Sequence, residues 1–366
     1  HAGAETVVRK GASMKYRVIQ WATGNVGKHA VRGIVEHPET ELVGAYVYSA
    51  AKAGRDVGEI CGIGKLGVTA TDDIAKILAL EADCVVYAPL LPDLDDVCRL
   101  LESGKNVVTP VGWIYPPSAG SETLARIKAS CRAGRVSLHG TGINPGGASD
   151  RFALMVTALS RRIKRVQIDE FSDIRDYDAV NVITDIMLMG KPPKDVEGSP
   201  MVDFLGAGFR QAIDMVAAGM KVQLDGYDAK HEVALATAPI TGRFGTMAPG
   251  TVAGQRFTWS GLVQGKVVIS TRVTWVMGHD HIDPEWPFPF DGWLIAIDGD
   301  PPVRCRLSTK WPEASSDPVE QAYRQDHGII ATAMHLVNAI PYVCEATPGI
   351  QTYLELPMIA GRLTGV

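Results

Sequence analysis

Little in this 366-residue chain would tie it to a membrane, a nucleic acid or an oxidising compartment. No apolar run approaches the length of a bilayer span, and a net charge of -5 leaves no basic excess for phosphate backbones or anionic lipid. Neither partner is expected. The six cysteines, Cys61, Cys84, Cys98, Cys131, Cys305 and Cys344, have neither CxxC spacing nor the density of a disulfide framework, so they read as reduced thiols in a cytoplasmic protein. Internal repeats and low-complexity segments are missing as well. No metal is expected, because His279-Asp280-His281-Ile282-Asp283-Pro284-Glu285 has the right residue types without a third spaced ligand group. The leader before Met14 lacks the apolar core of a signal peptide and reads as a ragged tail or an appended one. With 46% hydrophobic and 21% charged residues, what remains is a globular chain with ample core for two domains and a small molecule as its ligand.

What is there begins at Tyr16. The apolar run Val18-Ile19-Gln20-Trp21-Ala22 leads straight into Thr23-Gly24-Asn25-Val26-Gly27 and the helical run Lys28–Glu36, the strand, turn and helix order of a nucleotide site. Gly24 lets backbone approach a pyrophosphate, Gly27 lets the helix pack close to the strand, and free amides at the helix start face the anion. Ala22 stands where such turns usually have their first glycine. A second strand over Glu41–Tyr48 is followed by Ser49, Lys52 and Arg55, where an enzyme selective for NAD would carry a carboxylate for the ribose 2′-hydroxyl. Hydroxyl and basic groups there favour NADP over NAD.

The strand and helix alternation continues through Ala82–Pro89, a helix over Asp93–Ser103, a strand ending at Thr109, a helix over Ser121–Ala133 and a strand ending at His139. That rhythm predicts an α/β fold whose N-terminal half is a doubly wound parallel Rossmann sheet, with Tyr87, Ala88, Pro89 and Thr109 bordering the ligand at the strand ends. Gly140-Thr141-Gly142-Ile143-Asn144-Pro145-Gly146-Gly147 is a second glycine-rich turn, read as the hinge between domains and the floor of the site. Beyond Asp150 the pattern changes: a helix over Arg151–Arg162, a strand over Lys164–Ser172, a helical stretch near Phe204–Ala218 and mostly alternating, strand-like segments from His231 to Lys310 predict a second α+β domain with a largely antiparallel sheet. A long helix over Val319–Ile340 is closed by Pro341. The expected units are residues 14–147, 148–315 and 316–366, the last packing back on the first.

WATGNVGK, VYSAAKAGRDVGE, HGTGINPGG and TAMHLVNAIPYVCEATPGI taken together resemble the dihydrodipicolinate-reductase-like superfamily. Within it the chain is similar to the branch of 2,4-diaminopentanoate dehydrogenase and the native amine dehydrogenases. The resemblance implies a homodimeric, nicotinamide-dependent oxidoreductase. Carried over by position, Gly24, Asn25, Val26 and Gly27 hold the pyrophosphate, Ser49 and Lys52 the ribose phosphate, and Thr141, Gly142, Asn144 and Pro145 face nicotinamide and substrate. Three family signatures differ here. The histidine pair and lysine of true dihydrodipicolinate reductases fall on EFSDIRDYDAV, and the Glu-Lys-Pro of sugar and inositol dehydrogenases falls on Val108-Thr109-Pro110. The glutamate that amine dehydrogenases place shortly after the fifth strand falls on Val111 or Gly112.

Hydride transfer needs near-attack geometry and one donor that polarises the acceptor, and Tyr115, His139 and Asn144 are the groups at the strand ends able to donate. They are the expected catalytic residues. The acidic segment with Asp173, Asp176 and Asp178 reads as solvated. The leading expectation is an NADP(H)-dependent enzyme working on a carbonyl, imine or amine carbon of a mostly apolar molecule, with carbonyl or preformed-imine reduction ahead of amination. Two others stand beside it: a cofactor-binding protein without turnover, and an amine dehydrogenase that uses a carboxylate outside the family position.

Overall fold

A computed structural model describes residues 15–309 and 326–363, apart from 176, 178 and 179. The first part contributes β1 (Tyr16–Trp21), β2 (Thr40–Tyr46), β3 (Ala70–Thr71), β4 (Cys84–Tyr87), β5 (Asn106–Thr109) and β6 (Ser137–Gly140). The middle contributes β7 (Arg162–Asp173), β8 (Gly226–Ala236), β9 (Ile240–Gly242), β10 (Gly245–Met247), β11 (Val252–Val263), β12 (Lys266–Val276), β13 (Ile282–Asp283), β14 (Gly292–Asp300) and β15 (Val303–Leu307). One short strand, β16 (Gly349–Ile350), follows the last helix.

β16-β6-β5-β4-β1-β2-β3 is the order of the first sheet, and every neighbouring pair in it is parallel. Its strands are short continuous apolar runs because both faces are covered. Alternation along each strand divides the work. Ile19, Val85 and Val107 pack with Leu100, Leu101 and Ile127 of the helices Leu94–Glu102 and Ser121–Gly134. Val18, Val86 and Val108 point the other way, against Ala30 and Ile34 of the helix Asn25–Glu36 and Leu336, Val337 and Ile340 of the helix His327–Glu345. Each such aliphatic side chain contributes about 1.5–3 kcal/mol on full burial.

The last helix differs from the expected one in its end. It runs through Pro341 to Glu345, because Pro341 is buried on the helix face that covers the first sheet and tertiary packing outweighs the missing N–H. The part of the expected helix before residue 326 lies outside the described residues. By length and composition this helix could cross a membrane, yet its buried face is the cover of the first sheet.

The second sheet has the order β13-β8-β11-β12-β7-β14-β15, and β12 with β7 is its one parallel pair. One face takes the helix Met201–Gly219, through Phe209, Ile213 and Val216 against Phe257, Trp259 and Val273. The expected α/β architecture, with a second, mostly antiparallel sheet, is what the chain adopts. The glycine turn 140–147 joins the two sheets, and the first residues of the last helix return to the same place.

Candidate active site

The turn after β1 is open where a phosphate would need it to be. Gly24 caps the helix Asn25–Glu36 without any side-chain bond to the free amides, it is exposed, and a Cβ there would meet nothing within 4 Å. Gly27 is its opposite: a Cβ would lie 2.2 Å from the Ala22 carbonyl oxygen, so the helix crosses the strand at a distance only glycine permits. Ala22 has φ 69, the left-handed conformation a glycine usually takes at this point. Lys52 reaches back across the turn, its Nζ donating to the Thr23 carbonyl at 3.1 Å and to Thr23 Oγ1 at 3.2 Å. Ser49 and Arg55 of the same loop are exposed. The loop's acid, Asp56, is occupied elsewhere, accepting from the amides of Gly58, Glu59, Leu66 and Gly67. These residues fit a dinucleotide: a bare helix start for the pyrophosphate, and lysine, arginine and hydroxyl groups beside the ribose.

Ala88 and Pro89 follow β4 as buried neighbours of this turn, the Ala88 amide donating to Trp21 O at 3.1 Å. Tyr87 differs from its expected role, since its ring is fully buried in the core of the first sheet and its hydroxyl accepts from the Asp93 amide at 3.0 Å. Thr109 anchors the glycine turn, its carbonyl accepting from Thr141 N at 2.8 Å. Close packing explains the glycines here: a Cβ on Gly140 would lie 2.2 Å from Trp113 O, and one on Gly142 3.0 Å from Pro145 O. The turn therefore holds Asn144 at the edge of a cavity.

That cavity, of about 370 Å³, lies between the two sheets and the start of the last helix, and its rim includes Val26 of the phosphate turn. Its wall is mostly apolar, with Ile143, Ile174, Ile186, Met187, Leu205 and Trp275 among its residues. At its floor is Glu170, on β7 and 8% exposed. Asn144 Nδ2 donates to its Oε2 at 2.7 Å and Trp293 Nε1 to the same oxygen at 2.9 Å; Trp275 Nε1 and Ser172 Oγ donate to Oε1 at 2.8 and 3.2 Å. Sheet register produces this cluster, because Trp293 pairs with Glu170 across β14 and β7, and Trp275 with Ser172 across β12 and β7. Three more carboxylates line the cavity, Asp173, Asp291 and Asp326, and among the described residues no lysine or arginine does. Tyr177 faces the same space, its phenol pushed up to about 12 by burial and by the charges of Asp326 and Glu170.

Two of the three expected catalytic side chains are not at this cavity. His139 is fully buried on the far side of β6, its Nδ1 2.8 Å from the Gln351 carbonyl and its ring edge-on to Tyr353. Burial lowers its pKa to about 4, so it is a neutral packing group. Tyr115 is turned toward the helix Met201–Gly219, with its amide donating to Gln211 at 3.0 Å and its phenol raised by burial and by Glu355 and Asp214. Asn144 alone is in place. Glu170 and Tyr177 were not expected, although a hint existed: in Val166-Gln167-Ile168-Asp169-Glu170 the glutamate occupies the apolar phase of a strand. Asp173 is bound by Arg175, with Nη2 to Oδ2 at 2.6 Å, while Asp176 and Asp178 lie outside the described residues. In the histidine tract, His279 stacks on Phe288 and pairs with Asp280 at 2.9 Å. Among the described residues no three His, Cys, Asp or Glu side chains converge as metal ligands.

A parallel sheet with an open phosphate turn, and a cavity between it and a second sheet, is the architecture of a dinucleotide-binding protein. Comparison with known proteins narrows this. Residues 149–365 match the model of the 2,4-diaminopentanoate dehydrogenase C-terminal domain, and residues 18–88 that of the dihydrodipicolinate reductase N-terminus. The chain is 31% identical over 364 residues to an amine dehydrogenase of Streptomyces virginiae, covering 94% of this chain and 98% of that one. It is 23% identical to 2,4-diaminopentanoate dehydrogenase of Acetoanaerobium sticklandii, over 87% of this chain and 84% of the relative. In structure it is similar to an amine dehydrogenase of Mycobacterium smegmatis, with a TM-score of 0.76 at 21% identity, covering 96% and 98% of the two chains. The chain belongs to the 2,4-diaminopentanoate dehydrogenase and amine dehydrogenase family.

Proposed function

We propose that this protein is an NADP(H)-dependent oxidoreductase that interconverts an amine and its imine on a mostly apolar molecule without a carboxylate. The observation that carries this reading is the cavity, which joins an apolar wall to four carboxylates, has no lysine or arginine among the described residues of its lining and opens onto Val26 beside the phosphate turn. Anionic substrates would meet like charge there, whereas a protonated nitrogen would meet opposite charge. The names of the relatives point to the same chemistry. A carboxylated diamine such as the Acetoanaerobium enzyme's name describes would need a cationic anchor, and the described lining offers no lysine or arginine for it.

The residues that would hold the cofactor are Thr23, Gly24, Asn25 and Gly27 at the pyrophosphate, Ser49, Lys52 and Arg55 at the ribose 2′-phosphate, and Val26, Asn144 and Pro145 toward the nicotinamide. Asn144 Oδ1 is buried and has no hydrogen-bond partner among the described residues, an acceptor left over for an amide or an amine. The bound cofactor supplies or accepts a hydride. The chain's part is to orient the carbon, exclude water through the Ile, Met and Trp wall, and set the charge around the nitrogen. Preference for NADP(H) is supported by the lysine and arginine beside the turn and by the engagement of Asp56 within its own loop.

Oxidation of NADPH and of NADH, followed with 2-methyl-1-pyrroline, cyclohexanone, cyclohexanone plus ammonium, and the matching keto acids, tests the reading. The imine should be reduced with the highest kcat/KM, NADPH should be preferred about 10-fold or more, and keto acids should be turned over at least about 100-fold less efficiently. Preference for keto acids would contradict the substrate reading, and preference for NADH the cofactor reading.

A further inference from the structure

Glu170 is a buried anion surrounded by neutral donors. Asn144, Ser172, Trp275 and Trp293 fill the four or so lone-pair sites that a carboxylate offers, and none of them carries charge. The neighbouring acids are different. Asp173 is paired with Arg175, and Asp326 Oδ2 lies 3.2 Å from His29 Nε2. A buried carboxylate is costly unless a cation accompanies it; among the described residues none of its hydrogen-bond partners is cationic, and the carboxylate borders the cavity. Trp275 and Trp293 also make the site selective, because each indole gives a single directed N–H and walls off water with the rest of its ring.

We infer that Glu170 is the catalytic counter-ion of this enzyme, a fixed carboxylate whose missing cation is the protonated nitrogen of the substrate. This rests on the amine and imine reading above. The bound ammonium would first release one proton to solvent; as the resulting amine gave up its C–H hydrogen with both bonding electrons to the nicotinamide that the phosphate turn would hold, the nitrogen lone pair would close the C=N bond and the product nitrogen would take one positive charge. Glu170 stabilises that charge as it forms and, in the reverse direction, captures the iminium ion before it accepts the hydride. With its oxygens already occupied by donors, it acts as an oriented charge and not as a proton carrier. It also answers a gap in the first domain, where the glutamate position of related amine dehydrogenases falls on Val111 or Gly112 and Val111 packs against the core of the first sheet.

A carbonyl develops negative charge on reduction, so the same carboxylate disfavours it. This difference is the test. In Glu170→Gln the ratio of kcat/KM for 2-methyl-1-pyrroline to that for cyclohexanone should fall about 100-fold, with near-UV circular dichroism verifying the fold. Titration calorimetry of the wild-type protein with NADP+ present needs no variant: cyclohexylammonium should bind at least about 10-fold more tightly than cyclohexanol. An unchanged ratio in folded Glu170→Gln would overturn the role of Glu170 while leaving the amine reading intact. Equal affinity for the two cyclohexyl ligands would overturn it without any variant. If the wild type reduced neither imine nor ketone, the functional reading would fail, and the calorimetry would still decide whether Glu170 awaits a cation.

Discussion

Asp150 is the residue whose surroundings depart furthest from what its charge would choose. It is fully buried behind the glycine turn, one carboxyl oxygen has no partner among the described residues, and desolvation raises its pKa to about 7. Around it are Arg151, whose guanidinium lies 5.3 Å over the Tyr353 ring, and His335, which burial holds neutral with a pKa lowered to about 4. The sign follows from linkage. An acid with a raised folded pKa adds stability below its unfolded value of 3.8, and loses that contribution as pH rises through about 7. Replacing Asp150 by Asn removes this slope. In chemical denaturation the Asn variant should gain on the wild type between pH 5 and pH 8, by on the order of 2–4 kcal/mol in total. A constant gap across that range would mean that Asp150 is ionised throughout. His139 and His335 contribute the opposite slope between pH 4 and 6.5, identically in both proteins, so the difference isolates Asp150.

At the scale of elements, the strand, turn and helix of Tyr16–Glu36 act as one unit whose tightest point is the contact of Gly27 with Ala22. Ala22 is held at φ 69, a conformation that costs a non-glycine residue about 1–2 kcal/mol. Ala22→Gly should therefore raise stability by about 0.5–1 kcal/mol after the entropy lost by a glycine is counted, without a change in cofactor affinity. Thermal denaturation and cofactor titration check the two halves, and a destabilised variant would show that the alanine methyl contributes packing that outweighs its strain. This unit was legible from sequence because all its parts lie within about twenty residues, as were the parallel strands, whose apolar runs reflect burial on both faces. The cluster around Glu170 was not. Its two tryptophans are brought to Glu170 by the register of β7, β12 and β14, over separations of more than a hundred residues, and no local pattern carries that information. The same limit explains Tyr115 and His139: position at a strand end was readable, but the direction of the side chain depended on the helix Met201–Gly219 and on the segment after the last helix.

The whole molecule places its chemistry where three parts meet. The first sheet brings the phosphate turn, the second brings Glu170 with its tryptophans, and the last helix brings Asp326, His327 and Thr332 to the same cavity while its apolar face covers β1, β4 and β5. In the function proposed above, a cationic nitrogen belongs beside Glu170 with its carbon facing the nicotinamide. A crystal structure of the protein with NADP+ and cyclohexylammonium tests this placement. The ammonium should lie against the Glu170 carboxylate, the ring among Ile186, Met187 and Leu205, and the nicotinamide between Val26 and Asn144. An amine bound away from Glu170, or a nicotinamide that does not reach this cavity, would contradict it.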